Sequence, residues 1–598
     1  MNYMFGFLLI VTIFFGFSLS KFIFKKHCNV IELIGLSFPI GMISVSFFSV
    51  LINSFIGFNS VNVIITVVLF SFLSIIFIYL NKNIKLQIKF PKLYVCILLL
   101  IYIGILSFFS FISYAKVNGK IVRTGENDCL LEFAFISSFV DGVNNKRGLL
   151  NGIKLPLFSE NYAKSEYLPS IYEGLLNVCG IDKQISVFIC TLLLLASIVL
   201  LHFVFALNIS KNEYAAILSV PVLFLLGGFG FLDYQNASVR QNPIVDYVFF
   251  IDYDKINHWG HPFIHCILTS RVEQITIIIS LITMNCLHFK QILISAIMVF
   301  ICAIIRPQTA VALSLIYVFY SFDKILRKII FIIPTLLYLF LINMKPWIKK
   351  PSWSYDIYMQ SLIPPLKYPF MIFGLLFPSL IFALSKVYRY KTILSVILFY
   401  AFNFISLQWD PRYNFFTLDA TIIPLMITLS LAGMVSFANY WKAPDLRGMF
   451  KAFILFIVIL MCFSSSMGIY NNINQTYCIW NSIEYNTAKW ISNNTDKESI
   501  FASPIFSNWN PAVVLSGRQL YNCIKVALHS TIYNELDHNE MINNFLTYSN
   551  LNINVDYFLV QKNDNWDKSL KSKPVNIVEQ IYQNEKYIIY RYVQKNNQ

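Results

Sequence analysis

Long apolar runs separated by short polar turns dominate the first three quarters of the chain. Segments such as 4–20, 61–80 and 93–113 are of a length that a helix needs to cross a bilayer, because a helix satisfies its own backbone hydrogen bonds in lipid. We predict about fourteen such spans. They lie near residues 4–20, 32–56, 61–80, 93–113, 186–206, 214–233, 272–288, 291–305, 308–322, 329–343, 368–385, 392–407, 417–437 and 452–468.

The composition agrees with a membrane protein. Hydrophobic residues make up 57% of the 598 positions, charged residues make up 13%, and the mean hydropathy is +0.61. A soluble protein carries about 25% charged residues. The net charge of +15 comes from short basic clusters between apolar runs, as the positive-inside rule produces. No polar segment carries a basic stripe with interleaved aromatics, so we exclude nucleic acid as a partner.

The basic clusters predict the orientation of the spans. Lys21, Lys25 and Lys26 follow the first span without a cleavage pattern before them, which indicates an uncleaved anchor with its N-terminus outside. Later basic clusters fall on alternate turns, and an even number of spans returns the chain to the outer side. We therefore expect an integral, multi-pass membrane protein whose N-terminus and C-terminal domain are both extracytoplasmic.

The same pattern divides the chain into four parts. Residues 1–113 form N-terminal transmembrane helices, 114–185 a first long extracytoplasmic loop, 186–468 a transmembrane core, and 469–598 an extracytoplasmic domain. In the last part, a helix and several short strands alternate, which predicts a small α/β domain. These elements lie at Ile483–Ser492, Ser499–Ala502, Val555–Val560 and Tyr587–Tyr592. The fold class is thus an all-α polytopic bundle with a C-terminal α/β domain.

The first long loop contains apolar residues at helical spacing. They predict a short amphipathic helix that lies in the membrane interface, and they are Leu131, Phe135, Ile136 and Phe139. Asp128 comes just before this helix, with Glu126 and Glu132 nearby. Partial desolvation raises the pKa of a carboxyl towards neutrality, which suits a general base. Alternatively, Asp128 caps the helix, and Glu132 is favoured by the helix dipole.

Tyrosines follow in the second half of this loop. Tyr162, Tyr167 and Tyr172 can stack against sugar rings, or they can belong to an interfacial aromatic belt. Both interpretations place them near the membrane surface.

Taken in order, these motifs resemble a known family. An acidic residue, a polar residue four positions later, a short helix ending in Phe and Asn/Gly/Pro/Tyr-rich turns are similar to the first loop of GT-C-type glycosyltransferases. Poorly characterised members carry Asp-x-x-x-His there, and this chain has Asp128 and Glu132 at the matching positions. Later elements are similar as well, at Leu226–Phe231, Asn242-Pro243, Ser270-Arg271, Gln408–Asn414, Ala488–Thr495, Leu515–Arg518 and Val555–Val560.

The resemblance implies a function. Such enzymes take a sugar from a polyprenyl-phosphate carrier, so this chain is expected to be an inverting glycosyltransferase with Asp128 as general base. The expected partners are a polyprenyl-phosphate-linked sugar, a glycan, lipid or protein acceptor, and membrane lipids. A polytopic transporter or lipid flippase is the alternative from another class, although mid-span positions are almost free of charge. A non-catalytic protein that keeps the GT-C-like fold is a third.

A lipid-phosphate donor needs cations to stabilise its leaving group. Arg271, Arg306 and Arg412 fall near outer ends of predicted spans, and arginine can bind two phosphate oxygens. Trp409 and Asp410 are expected to fix the position of Arg412. The alternative for each arginine is contact with lipid headgroups.

Histidines cluster between two predicted spans. His258 and His261, together with His265, are expected to contact phosphate or to form hydrogen bonds within the loop. With Asp252 and Asp254 upstream, a divalent metal site is an alternative, although Pro262 disfavours a continuous helix here. We otherwise expect no cofactor.

Overall fold

The computed structural model of this chain is mostly helical. The residues that it describes are 3–24, 29–84, 91–114, 116–117, 120–124, 129–159, 162–163, 166–227, 250–252, 255–257, 270–321, 323–341, 352–353, 374–385, 387–406, 411–441, 443–474, 476–505, 510–522, 535–548 and 553–593.

The helices follow the predicted spans closely. In chain order they are α1 Met4–Phe24, α2 Val30–Ile56, α3 Ser60–Leu80, α4 Leu93–Tyr114, α5 Cys129–Val140, α6 Leu168–Val178, α7 Lys183–Ser210, α8 Glu213–Leu225, α9 Arg271–His288, α10 Ile292–Ile305, α11 Pro307–Phe319, α12 Ile325–Leu341, α13 Leu376–Ser379 with the 3-10 turn Leu380–Leu384, α14 Arg389–Phe404, α15 Pro411–Tyr440, α16 Pro444–Asn474, α17 Ser482–Asn494, α18 Pro511–Val514, α19 Glu535–Tyr548 and α20 Asn565–Lys571. Each of the predicted spans overlaps one of these helices.

Several of these helices are long and apolar enough to cross a membrane. Among the described residues there are 7: α1, α2, α3, α4, α7 and the larger parts of α15 and α16. The helices α8, α10 and α11 are apolar but shorter. Length and composition thus support an integral membrane protein, and the full span count stays a prediction.

Side-chain contacts divide the helix ends between two faces. On one face, Asn53 near the end of α2 donates to the carbonyl of Asn144 (2.9 Å), in the loop before α7. On the other, Asn208 near the end of α7 donates to Asn285 near the end of α9 (2.8 Å). We call the first the loop face, where α9 and α11 begin, and the second the turn face, where the α9–α10 and α11–α12 turns lie.

The tail forms the predicted small α/β domain. In chain order the strands of the described residues are β1 Lys116–Val117, β2 Lys120–Thr124, β3 Phe250–Asp252, β4 Lys255–Asn257, β5 Ser352–Trp353, β6 Ile405–Ser406, β7 Thr476–Trp480, β8 Ile500–Ala502, β9 Gln519–Leu520, β10 Tyr557–Gln561, β11 Val578–Gln583 and β12 Tyr587–Tyr592. The five-stranded sheet of the tail has the order β11-β12-β10-β8-β9, with β8, β9 and β10 parallel and β11 and β12 antiparallel.

The tail is joined to the first loop by a second sheet. Strand β7 at the start of the tail pairs antiparallel with β2, which ends four residues before Asp128, and β2 pairs with β1. The close approach of Gly142 to Gly517 adds a second contact, because a Cβ at Gly142 would overlap the carbonyl of Gly517. The loop and the tail therefore form one layer on the loop face.

Helix α5 forms where the sequence predicts a short helix, and the tail covers it. Its side chains from Glu132 to Phe139 are all buried, the polar ones included, and Val140 is half-buried. The physical reason is the tail: Ser137 donates its hydroxyl hydrogen to the carbonyl of Val514 in α18 (2.6 Å), and α18 covers the side of α5 that the sequence pattern left polar.

Candidate functional site

The candidate site is built around α5, whose first turn carries Glu132. Asp128 and Glu126, the other predicted acids, lie outside the described residues, and α5 begins at the residue after Asp128. The Glu132 side chain is buried although it is a carboxylate. A buried carboxylate needs a cation or hydrogen-bond donors, because ions lose strong hydration on burial.

Arg271 supplies that partner from the first position of α9. Its guanidinium forms an ion pair with Glu132, and its backbone N–H donates to Glu132 Oε1 (3.0 Å). Ser270 caps the helix by accepting from the N–H of Glu273 (3.4 Å). Glu132 thus meets both a guanidinium and the positive end of a helix, and each stabilises a carboxylate.

Glu173 on α6 is the second carboxylate at Arg271. The distance from Arg271 Nε to Glu173 Oε1 is 3.1 Å, and both side chains are 0% exposed. Helix α6 is buried along most of its length, so no water reaches this pair. This desolvation raises the pKa of Glu173 well above its ordinary value.

Arg306 occupies the break between α10 and α11. The following Pro307 disfavours a helical conformation at Arg306, whose backbone is extended with φ −147°, and Pro307 then starts α11. The Arg306 guanidinium pairs with Glu273 in the first turn of α9. Next to it, the carbonyl of Ile305 accepts from the N–H of Glu166 (3.1 Å), which links this break to the first loop.

Together these groups form one charged cluster on the loop face. We name it the loop-face cluster, and it consists of Glu132, Glu173, Arg271, Glu273 and Arg306. Three carboxylates meet two guanidiniums in surroundings that exclude water. The excess of one carboxylate favours a proton on the group with the raised pKa, Glu173.

Sequence reasoning missed two members of this cluster. Ser270-x-x-Glu273 has the spacing of a capping box, which indicates a helix start and would have drawn attention to Glu273. Glu173 stands among apolar residues of a short helix, and an acidic residue in such a run needs a partner. Neither signal identifies the partner, since Arg271 is far from Glu173 in sequence and Arg306 is far from Glu273.

Tyr167 lies immediately before α6 and is 7% exposed. Its ring packs against Phe135 of α5, with centroids 6.4 Å apart. Burial raises the pKa of its hydroxyl. In this structure Tyr167 therefore packs α6 against α5 and presents no open ring face.

Of the remaining predicted site residues, the structure describes only the backbone of Arg412. Arg412 lies in the first turn of α15 by its backbone, and its side chain is outside the described part. Trp409, Asp410, His258 and His261 lie outside the described residues. Among the side chains that the structure describes, no three His, Cys, Asp or Glu converge as metal ligands.

The comparisons with known proteins give structural neighbours only. The sequence matches no family profile and no curated protein. The fold is similar to that of the arabinofuranosyltransferase AftD from Mycobacteria, with a TM-score of 0.47, 10% identity, and coverage of 83% of this chain and 40% of AftD. It is also similar to ArnT from Cupriavidus metallidurans bound to undecaprenyl phosphate, with a TM-score of 0.44, 9% identity, and coverage of 82% and 97%.

Both neighbours are GT-C glycosyltransferases, the family that the sequence motifs resemble, so the predicted resemblance is confirmed for the fold alone. This chain spans less than half the length of AftD. Because the TM-scores are below 0.5, activity and substrate have to be argued from the residues of this chain.

Proposed function

We propose that this protein is a membrane glycosyltransferase that transfers a sugar, with inversion, from a polyprenyl-phosphate donor to an acceptor at the extracytoplasmic face. The acceptor hydroxyl oxygen attacks the anomeric carbon, the bond from that carbon to the phosphate oxygen breaks, and Asp128 takes the hydroxyl proton. The polyprenyl phosphate leaves with the bonding electron pair. The acceptor is a glycan, a lipid or a protein.

The observation that supports this proposal most is the ion pair between Glu132 and Arg271. Glu132 stands four residues after Asp128, where the resembled family has His. The pair fixes the first turn of α5 to the start of α9. Under this proposal Glu132 is a positioning residue, and it holds Asp128 at the membrane end of the bundle.

The arginines of the loop-face cluster are proposed as ligands of the donor phosphate. Arg271 and Arg306 are both buried and both paired with carboxylates. A guanidinium can bind phosphate oxygens as well as carboxylates, so under this proposal the cluster opens when the donor binds and Arg271 and Arg306 exchange a carboxylate contact for a phosphate oxygen. Arg412 is proposed as the third phosphate ligand, from the first turn of α15.

The proposal is tested by Asp128→Asn in the full chain. We expect transfer of sugar from a polyprenyl-phosphate donor to fall by at least a hundredfold, since general-base catalysis contributes about 10²–10⁴-fold. Asp141→Asn is the matched control, because Asp141 is a half-exposed carboxylate of the same loop, 3.6 Å from Lys183. Lipid-linked sugars and surface glycans of the host are measured at equal membrane expression.

Unchanged glycans in the Asp128→Asn strain, where deletion of the whole gene does change them, would remove Asp128 from the mechanism. Glycans that are unchanged both in the Asp128→Asn strain and after deletion of the whole gene would argue against a transferase and in favour of a transporter or a non-catalytic protein. Protease protection of a tag after residue 593 tests the proposed orientation: the tag should be digested from the extracytoplasmic side.

A further inference from the structure

A basic cavity lies on the turn face, at the opposite end of α9 from the loop-face cluster. It has a volume of about 250 Å³, and we name it the turn-face cavity. Its lining residues are Leu287, Lys290, Ile292, Ser321, Asp323, Lys324 and Lys328. They come from the α9–α10 and α11–α12 turns and from the helices beside them. One water occupies about 30 Å³ in the liquid, so the cavity accommodates a group several times larger.

The charges of the lining favour an anion. Three lysines stand against one aspartate, which leaves a formal charge of +2. Asp323 is held by Lys290 at 3.0 Å. Lys328 is buried and donates to the carbonyl of Ser321 (2.6 Å), which fixes its ammonium at the wall. Lys324 has no acceptor among the described side chains, so its charge is available to a ligand.

Two of these lysines have a backbone conformation that usually belongs to glycine. Lys290 has φ 61° and Lys324 has φ 53°, both in the left-handed region. A Cβ makes this region unfavourable, and helix ends normally use glycine there. Here both side chains line the same cavity.

The first turn of α10 adds a further positive element. Ile292, the first residue of α10, lines the cavity, and Gln291 before it makes no side-chain cap. The uncapped N–H groups and the dipole of a helix start favour anions, phosphate in particular. The lysines and the helix start thus point to the same class of ligand.

We propose that the turn-face cavity binds a phosphate group, either that of an anionic lipid headgroup or free phosphate. Lysine binds phosphate as a point charge, and three lysines around one cavity match this chemistry. The turn face carries the basic clusters that predict the cytoplasmic side, where anionic lipids attract lysines. The site is distinct from the loop-face cluster, so it does not depend on the proposed transferase activity.

The test uses the purified full chain in neutral detergent. Binding is measured by calorimetry for three probes: dioctanoyl phosphatidylglycerol, dioctanoyl phosphatidylcholine and inorganic phosphate. The test variant is the double change Lys290→Gly and Lys324→Gly, which removes two charges and suits the left-handed backbone. We expect its affinity for phosphatidylglycerol to fall roughly 25-fold, from about fivefold for each lysine near a lipid surface.

Lys211→Gly is the matched control. Lys211 ends α7 on the same face with φ 54°, and it does not line the cavity. This variant should bind like the wild type, and both variants should keep at least the wild-type melting temperature because glycine relieves the backbone strain.

The three probes distinguish the source of the phosphate group. If the double variant loses binding of phosphatidylglycerol, and inorganic phosphate does not bind the wild type, the site binds a lipid headgroup. If the double variant loses binding of both phosphatidylglycerol and inorganic phosphate, the site binds free phosphate. The proposal is overturned if no phosphate probe binds, if phosphatidylcholine binds as tightly as phosphatidylglycerol, or if Lys211→Gly weakens binding as much as the double variant.

Discussion

At the scale of single residues, Arg271 is the central group of this molecule. Its guanidinium serves Glu132 and Glu173, which come from two different helices, and its backbone N–H binds Glu132 as well. The effective cost of burying an ion is several kcal/mol, so each member depends on the others. Removing one partner should therefore lower the free energy of unfolding far more than the same substitution in an exposed ion pair.

Glu132→Gln is expected to lower the free energy of unfolding by about 3–5 kcal/mol, because it removes a charge from a buried pair. Chemical unfolding in detergent measures this loss. Glu498→Gln is the control, since Glu498 is also paired with an arginine (Arg147, 2.9 Å) but is 60% exposed. Exposed pairs contribute little, so the control should unfold like the wild type. Equal losses in both variants would contradict a buried pair at Glu132.

Glu173 should make stability depend on pH. Its pKa in the folded chain is raised above 4.5 by burial, so the folded chain holds this proton more tightly than the unfolded chain. The stabilisation is complete below the unfolded pKa and is lost as pH rises through the folded pKa. Glu173→Gln mimics the protonated form permanently. Melting temperatures of the wild type should therefore fall relative to this variant as the pH rises above the ordinary range of a carboxyl group, whereas parallel curves would show that Glu173 is ionised throughout.

At the scale of elements, α5 is held at both ends. Its first turn is fixed by the Glu132–Arg271 pair, and its last turn is capped by Asn145. The Asn145 amide donates to the carbonyls of Phe139 (3.0 Å) and Val140 (2.8 Å), which have no partner within the helix. It also donates to the carbonyl of Phe58 (3.2 Å) in the α2–α3 turn. One side chain thus ties the end of α5 to the α2–α3 hairpin.

Asn145→Ala should destabilise the fold by about 1–3 kcal/mol, the cost of leaving partly buried carbonyls without donors. Sugar transfer should also fall, because α5 carries the residue next to the proposed base. Asn494→Ala is the control: its amide makes one exposed contact, to the carbonyl of Trp490 in its own helix (2.8 Å). Unfolding curves and transfer rates are compared at equal expression, and a wild-type-like Asn145→Ala would contradict the anchoring role.

At the scale of the whole molecule, the tail is a structural part of the loop face. Arg518 is buried and donates to the carbonyls of Asp141 in the first loop (2.8 Å) and Thr495 in the tail (3.0 Å). Burial lowers the pKa of this guanidinium. Gly517 beside it has φ 70° and lies against Gly142. The tail and the loop therefore meet through backbone groups at van der Waals contact.

Gly142→Ala should separate these two surfaces, because the added methyl group overlaps the Gly517 carbonyl. We expect faster hydrogen exchange at residues 510–522 while the five-stranded sheet keeps its protection. Gly448→Ala is the control, since a Cβ there meets nothing within 4 Å. Exchange at 510–522 that is the same in both variants would mean that the tail is held without this contact.

The features that could be predicted from the sequence depend on residues close together in the chain, and those that could not depend on residues far apart in the chain. Apolar runs predict the helices, since a span is a local property, and the patterns near Val555–Val560 and Tyr587–Tyr592 predict β10 and β12 of the tail. The burial of α5 under α18 could not be predicted, because α18 follows almost 400 residues later. The Arg271–Glu173 pair was missed for the same reason: polarity in one segment does not name its partner in another.

The pairing of β2 with β7 has a consequence for biosynthesis. Residues 120–124 emerge early from the ribosome, but their partner strand is at 476–480. At about 5–20 residues per second, β2 waits roughly 20–70 s for β7. Strand β2 therefore cannot form its final pairing on a partly made chain, and the sheet that joins the first loop to the tail is completed only after the tail has been synthesised.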